Sequence, residues 1–157
     1  MSVESELTLS KMLFFPKLEY SNSEGVLKYM ADALIAQHFV KKEYEPALLK
    51  RESEYPTGLP VSSPGIAIPH SDFKLVNKTT IAVATLQKPV LFHNMENTHQ
   101  TLPVQIIIMM AIGEPHGQVT MLQKIVGVIQ DNELRNQVID AKTNEELYEL
   151  LAPKLMA

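Results

Sequence analysis

The most informative residue of the sequence is His70, which follows Pro69 at the end of a short apolar run from Gly65 to Ile68. Proline fixes φ and lacks a backbone donor, so a strand cannot readily continue its hydrogen-bond ladder through Pro69. The sequence therefore predicts that His70 lies at the end of a strand. Because histidine titrates near neutrality, an imidazole in this position could be a nucleophile, a base or a metal ligand.

Two further residues could complete a site for phosphoryl chemistry. Arg51 is expected at the end of a helix, and His116 lies in a turn, residues 113–117, before another predicted helix. Two imidazoles and a guanidinium suit this chemistry, because one nitrogen can attack phosphorus while fixed positive donors neutralise the oxygens. The amino end of the helix that starts near Gln118 would add backbone amide donors. This chemistry needs neither a metal ion nor an organic cofactor.

All three residues could instead be structural. The histidines could be ordinary loop and turn residues, and Arg51 could be a solvated arginine favoured by the helix dipole. Elsewhere, His93 and His99 with Glu96 between them could suggest a metal site. No zinc-ligand spacing fits them, and the segment is typical of a polar hairpin loop, so we expect no metal among the site residues.

The composition is that of one globular domain. The 157 residues are 45% hydrophobic and 20% charged, with a formal net charge of -4 and no cysteine. The negative charge and the lack of a basic block argue against a nucleic-acid partner, and the lack of cysteine excludes thiol chemistry within the chain. The amino terminus is acidic, and the longest apolar stretch, residues 104–112, is shorter than the roughly 20 residues of a membrane helix. We therefore expect a cytoplasmic protein with no direct membrane insertion.

The hydrophobic periodicity is helical at both ends of the chain and extended in the middle. It predicts helices over about residues 21–37 and 42–51, strands over 79–86, 90–92 and 104–110, and helices over 118–129, 133–139 and 144–151. Ser21 with Glu24, and Thr143 with Glu146, have the spacing of capping boxes. This order predicts a single α/β domain, in which a mixed parallel and antiparallel β-sheet is flanked by helices on both faces.

Three short motifs occur in order along the chain. They are Leu48-Leu49-Lys50-Arg51-Glu52, Tyr55-Pro56-Thr57-Gly58-Leu59-Pro60 and Gly65-Ile66-Ala67-Ile68-Pro69-His70. Together they resemble enzyme IIA of the bacterial phosphotransferase system, in its fructose-mannitol class (type 2). The second motif and the pair Ser71-Asp72 are most similar to the galactitol-type branch. The resemblance implies an N-terminal segment over residues 1–12 and an enzyme IIA type-2 domain over residues 13–157.

The resemblance implies a phosphoryl carrier. His70 would accept a phosphoryl group on Nε2 from the phosphohistidine of HPr, giving a tele-phosphohistidine, and Arg51 and His116 would contact that group. The next acceptor would be a cysteine of a separate enzyme IIB, and a membrane enzyme IIC of the same system would couple sugar uptake to phosphorylation. Ser71 stands where many members have glycine, and residues 58–65 lack the glycine-rich form of fructose-type members. The latter departure favours galactitol or a related polyol as the substrate.

The alternative on the same fold is a regulator. Its phosphorylation state would alter binding to a transcription factor, a kinase or a transporter. Both interpretations predict a phosphorylated His70. They differ in whether an enzyme IIB cysteine accepts the group.

Overall fold

A four-stranded mixed sheet forms the centre of the part of the chain that the structure describes. The structure is a computed structural model that describes residues 7–115 and 117–156, without the side chain of Gln118. In spatial order the strands are β1 (Phe14–Leu18), β3 (Thr80–His93), β4 (Thr101–Ala111) and β2 (Ile66–Ala67). β3 and β4 are antiparallel, whereas β1 is parallel to β3 and β2 is parallel to β4. The predicted mixed sheet is confirmed.

Helices cover both faces of this sheet. They are α1 (Ser23–Ala36), α2 (Tyr44–Glu54), α3 (Gly117–Ile129), α4 (Asn132–Asp140) and α5 (Asn144–Leu155). α1 and α2 share a core with Ala82 and Ala84 of β3, whereas α3, α4 and α5 share one with Ile81 and Val83. Because successive strand residues point to opposite faces, the two sets of helices lie on opposite sides of the sheet, as predicted. No helix within the described residues has the length and apolar character to cross a membrane.

The helix boundaries depend on their N-caps. The predicted capping box at Ser21 is wrong, because Asn22 is the N-cap of α1 and its Oδ1 accepts a hydrogen bond from Gly25 N at 2.9 Å. Asparagine caps a helix as well as serine does, so the spacing alone did not distinguish the two neighbours. The predicted cap of α5 is confirmed, since Thr143 Oγ1 accepts from Glu146 N at 3.1 Å.

Two features of the strands differ from the prediction. The strands expected over residues 79–86 and 90–92 form the single strand β3, which shifts register against β4 between Thr85 and Val90. Pro89 lies within this irregular region, where its missing N–H costs little. The sequence does not predict β1, because its five residues include Pro16. As an edge strand, β1 tolerates a proline that a central strand would exclude.

Tyr44 links α2 to the centre of the sheet. Its side chain is fully buried, and its hydroxyl donates a hydrogen bond to Met110 O of β4 at 2.7 Å. Burial raises the pKa of Tyr44 above its ordinary value, so the hydroxyl keeps its proton at any physiological pH. Met110 N in turn donates to Pro69 O at 2.9 Å, next to His70. The helix that carries Arg51 and the turn that carries His70 are thereby attached to the same residue of β4.

We predict that Tyr44→Phe lowers the free energy of unfolding by about 1 to 2 kcal/mol, because the Met110 carbonyl loses a buried partner while the packing is kept. Urea denaturation measured against the parent protein checks this. Tyr29→Phe is the matched control, since Tyr29 is 40% exposed and the loss of its hydroxyl should leave no buried group without a hydrogen-bond partner. Equal effects of the two substitutions would show that the Tyr44 hydrogen bond does not stabilise the fold.

Candidate functional site

His70 lies where the edge strand β2 ends. β2 pairs with β4 through Ile66 and Ala67, and the chain meets β4 again at His70, which forms an isolated bridge with Met110. Between them, Pro69 accepts the hydrogen bond from Met110 N but has no N–H to donate. The ladder is therefore interrupted at the proline, and the predicted position of His70 at a strand end is confirmed.

One ring nitrogen of His70 is held by the backbone. Nδ1 lies 3.1 Å from the carbonyl oxygen of Ile68, two residues earlier in the chain. A carbonyl oxygen can only accept, so Nδ1 must carry the proton and donate it. In the neutral ring the lone pair is then on Nε2. The contact therefore selects the tautomer in which Nε2 is the nucleophilic or metal-binding nitrogen.

The surroundings of His70 favour its neutral form. Burial lowers the pKa of His70 below its ordinary value of 6.5, and the positive charge of Arg51 lowers it further. The hydrogen bond to the Ile68 carbonyl opposes this shift without reversing it. At neutral pH the ring is therefore predominantly uncharged, as an attacking nitrogen must be.

Arg51 lies in the last turn of α2, which extends to Glu54, beyond the predicted end of this helix. The side chain is exposed, and its guanidinium carbon lies 5.5 Å from the centre of the Tyr55 ring, within the range of a cation–π contact. Its positive charge is the smallest of the three influences on the pKa of His70, so Arg51 lies within electrostatic range of the imidazole.

Glu52 is a residue of the site that the sequence analysis did not select. Both of its carboxylate oxygens accept hydrogen bonds from Thr57, one from the backbone N and one from Oγ1, each at 2.8 Å. Burial raises the pKa of Glu52, and the two bonds from Thr57 oppose that rise. The only sequence signal is a threonine that follows a proline just after a charged helix end, which does not specify this pairing.

Residues 57–59 run beside β2 and support it from the side opposite β4. Gly58 bridges Ala67 in β2 and also Asn94, at the end of β3. A Cβ atom at Gly58 would lie 2.6 Å from His93 O, closer than a side chain can approach a backbone oxygen. Glycine is therefore required for this strand-like segment to fit between β2 and the end of β3.

His116, the third residue that the sequence analysis selected, lies outside the described residues. Its neighbours are described: Pro115 precedes it, and α3 begins directly after it, at Gly117. The predicted helix that starts near Gln118 is therefore confirmed. The contribution of His116 to the site stays a prediction.

Of the two histidines expected in a hairpin loop, His99 lies in the loop between β3 and β4, whereas His93 is the last residue of β3 and pairs with Thr101. Nδ1 of His93 contacts Thr98 O at 2.9 Å, and the backbone N of His99 donates to Asn97 Oδ1 at 3.2 Å. Within the described residues, no three or more His, Cys, Asp or Glu side chains are grouped so as to hold a metal ion.

The chain is similar to proteins of known families. Residues 7–154 match the family described as "Phosphoenolpyruvate-dependent sugar phosphotransferase system, EIIA 2". The ascorbate-specific PTS system EIIA component of Shigella boydii serotype 4 is 30% identical over 131 residues, which are 82% of this chain and 81% of that protein. The galactitol-specific EIIA component of Escherichia coli O6:H1 is 23% identical over 122 residues, 78% of this chain and 81% of that protein.

Solved structures support the fold. Enzyme IIAMTL from Escherichia coli, in its complex with phosphorylated enzyme IIBMTL, matches with a TM-score of 0.74 at 21% identity, over 94% of this chain and 99% of that one. The family match extends over both layers of helices and all four strands of the described sheet. The resemblance carried by the three motifs is thereby confirmed. The chain belongs to the EIIA 2 family of the phosphoenolpyruvate-dependent sugar phosphotransferase system and is a phosphotransferase component.

Proposed function

We propose that this protein carries a phosphoryl group on His70 Nε2, accepting it from the phosphohistidine of HPr and passing it to a cysteine of a separate enzyme IIB. The observation that supports this most directly is the contact of Nδ1 with the Ile68 carbonyl, which leaves the lone pair on Nε2. Membership of the EIIA 2 family supplies the class of chemistry.

In the proposed mechanism, His70 neither gains nor loses a proton during either transfer step. In the first step the Nε2 lone pair forms a bond to phosphorus as the bond to the donor imidazole breaks, and that electron pair returns to the donor nitrogen. In the second step a cysteine thiolate forms the bond to phosphorus, and the electron pair returns to Nε2. Throughout both steps, Nδ1 keeps its proton and donates it in the hydrogen bond to Ile68 O.

Two residues are proposed to stabilise the transferring group. The guanidinium of Arg51 would neutralise oxygens of the phosphoryl group, a role that suits its planar set of donors. Its position on the last turn of a helix fixed to β4 by Tyr44 supports this assignment. His116 is proposed as the second such contact, and this assignment is supported by the family resemblance and by its position directly before α3.

The substrate of the system is proposed from the relatives. Ascorbate-specific and galactitol-specific EIIA components are both similar to this chain, at 30% and 23% identity respectively. The sequence motifs favour galactitol, whereas the ascorbate-specific relative has the higher sequence identity of these two. We therefore propose ascorbate as the substrate of the system. The substrate would receive the phosphoryl group from enzyme IIB as the membrane enzyme IIC of the same system transports it, and the carrier would act in the cytoplasm, where HPr is phosphorylated.

Incubation with phosphoenolpyruvate, enzyme I and HPr is predicted to add one acid-labile phosphoryl group to the chain. Peptide mapping should locate it on His70, and His70→Ala should abolish it, because the substitution removes the Nε2 that would form the bond to phosphorus. His99→Ala, in the loop between β3 and β4, is the control and should be labelled like the parent. A label that persists in His70→Ala would contradict the proposal.

Arg51→Ala is predicted to raise the pKa of His70, because it removes a positive charge that disfavours the imidazolium. In the parent protein the pKa of His70 is lowered from 6.5, so the rate of phosphoryl acceptance should fall as the pH is lowered, with a midpoint below 6.5. An NMR titration of the His70 ring measures both pKa values. Lys50→Ala, the neighbouring exposed cation, should leave the pKa as in the parent; an unshifted pKa in Arg51→Ala would contradict the proposed interaction.

The phosphorylated protein is predicted to pass its group to the enzyme IIB of an ascorbate system faster than to that of a galactitol system. The measurement is phosphoryl transfer to each purified IIB, followed by substrate phosphorylation with the matching IIC membranes. A IIB whose acceptor cysteine is replaced by serine is the control. Faster transfer in the galactitol system would reassign the substrate, and no transfer to either IIB from a labelled His70 would favour the regulatory alternative.

A further inference from the structure

Glu52 occupies an unusual position for a charged helix residue. It follows Arg51 in α2, but its carboxylate is turned toward the chain that leads to β2 and accepts two hydrogen bonds from Thr57. Thr57 itself is only 2% exposed. Its backbone N–H therefore has little access to water and depends on the carboxylate as its acceptor.

The hydrogen bonds continue from Thr57 to the imidazole. Thr57 O accepts from Ile68 N at 3.2 Å, and Ile68 O accepts from Nδ1 of His70 at 3.1 Å. Only two residues, Thr57 and Ile68, therefore separate the Glu52 carboxylate from the ring. Of the backbone contacts between residues 57–59 and residues 66–68, the one between Thr57 and Ile68 is nearest to His70 in the sequence.

We propose that Glu52 is a positioning residue for His70, acting through Thr57 and Ile68 to hold the carbonyl that selects the Nδ1–H tautomer. Its effect on phosphoryl transfer rests on the function proposed above. Its effect on the imidazole does not, since the tautomer exists whether or not His70 is ever phosphorylated.

Removal of the Glu52 carboxylate would leave Thr57 without its hydrogen-bond acceptor. A buried N–H and a buried hydroxyl would both lose their acceptor, and the segment would have to shift to find others. The Ile68 backbone would shift with it, because Thr57 O is the partner of Ile68 N. The ring would then lose its fixed acceptor, and the proton could occupy Nε2, where it blocks the attacking lone pair.

The amide of glutamine can replace the carboxylate in this geometry. Its oxygen can accept from the Thr57 N–H, and its NH₂ group can donate to Thr57 Oγ1, so both contacts are kept while the negative charge is lost. The carboxylate also interacts electrostatically with Arg51 and His93. Comparing Glu52→Ala with Glu52→Gln therefore separates hydrogen bonding from charge.

The experiment measures two quantities in the full-length protein. The first is the tautomer of His70 in the unphosphorylated protein, from the ¹⁵N chemical shifts of the ring at a pH well above 6.5. The second is the rate of phosphoryl acceptance from HPr. The variants are Glu52→Ala, Glu52→Gln and Thr57→Val, with Glu54→Ala as the control because Glu54 is an exposed acid of the same helix.

We expect Glu52→Ala to increase the Nε2–H tautomer and to slow phosphoryl acceptance about 10- to 100-fold, as expected for a displaced reacting group. Glu52→Gln should resemble the parent in both measurements, and so should Glu54→Ala. Thr57→Val removes only the hydroxyl contact, so it should shift the tautomer in the same direction by less.

The proposal is overturned if folded Glu52→Ala keeps the parent tautomer, or if Glu52→Gln is as impaired as Glu52→Ala, since charge rather than hydrogen bonding would then be responsible. Should Glu52→Ala fail to fold, Thr57→Val decides, and a parent-like tautomer there overturns the proposal. If the parent itself accepts no phosphoryl group, the proposed function fails, while the tautomer comparison still tests the role of Glu52.

Discussion

The hydrogen bond from His70 Nδ1 to the Ile68 carbonyl is the constraint on which the chemistry of the site depends. An imidazole has two nitrogens, and without a fixed partner its proton can occupy either. The carbonyl resolves this choice because it can only accept. It does so without adding charge, so burial and Arg51 can still keep the ring neutral. The result is a nitrogen that is nucleophilic at neutral pH without a neighbouring base.

Such a contact is useful only if the carbonyl itself is fixed, and the fold achieves this from two sides. On one side, β2 pairs with the buried strand β4, and the chain rejoins β4 at Met110. On the other, residues 57–59 pair with β2, and Glu52 holds their first residue. A strand of two residues would be too short to define a position alone, so its order comes from these neighbours. Met110 O also accepts the hydrogen bond from the Tyr44 hydroxyl, which attaches α2, the helix that carries Arg51, to the same residue of β4.

The parts of this arrangement that the sequence predicted are those with local signals. Pro69 has no N–H to continue a ladder at the end of a short apolar run, and Thr143 with Glu146 marks a helix start within four residues. The layered α/β class follows from the change in periodicity along the chain. The unpredicted parts depend on distant partners: Tyr44 and Met110 are 66 residues apart, and β1 forms only because β3 lies beside it. Glu52 and Thr57 are close in sequence, but their pairing depends on where β2 holds the intervening turn.

The same chemistry explains why the motifs around His70 did not determine the sugar. If His70 carries the phosphoryl group as proposed, a neutral nitrogen and a guanidinium recognise phosphorus and its oxygens, which are identical in every system of this kind. The sugar never needs to reach this chain, because it would meet the phosphoryl group only after a further transfer. Selection between an ascorbate and a galactitol system must then reside in the surface that meets the next protein. There, small differences in shape and charge decide which partner cysteine approaches Nε2 in line, since docking specificity is a difference between affinities.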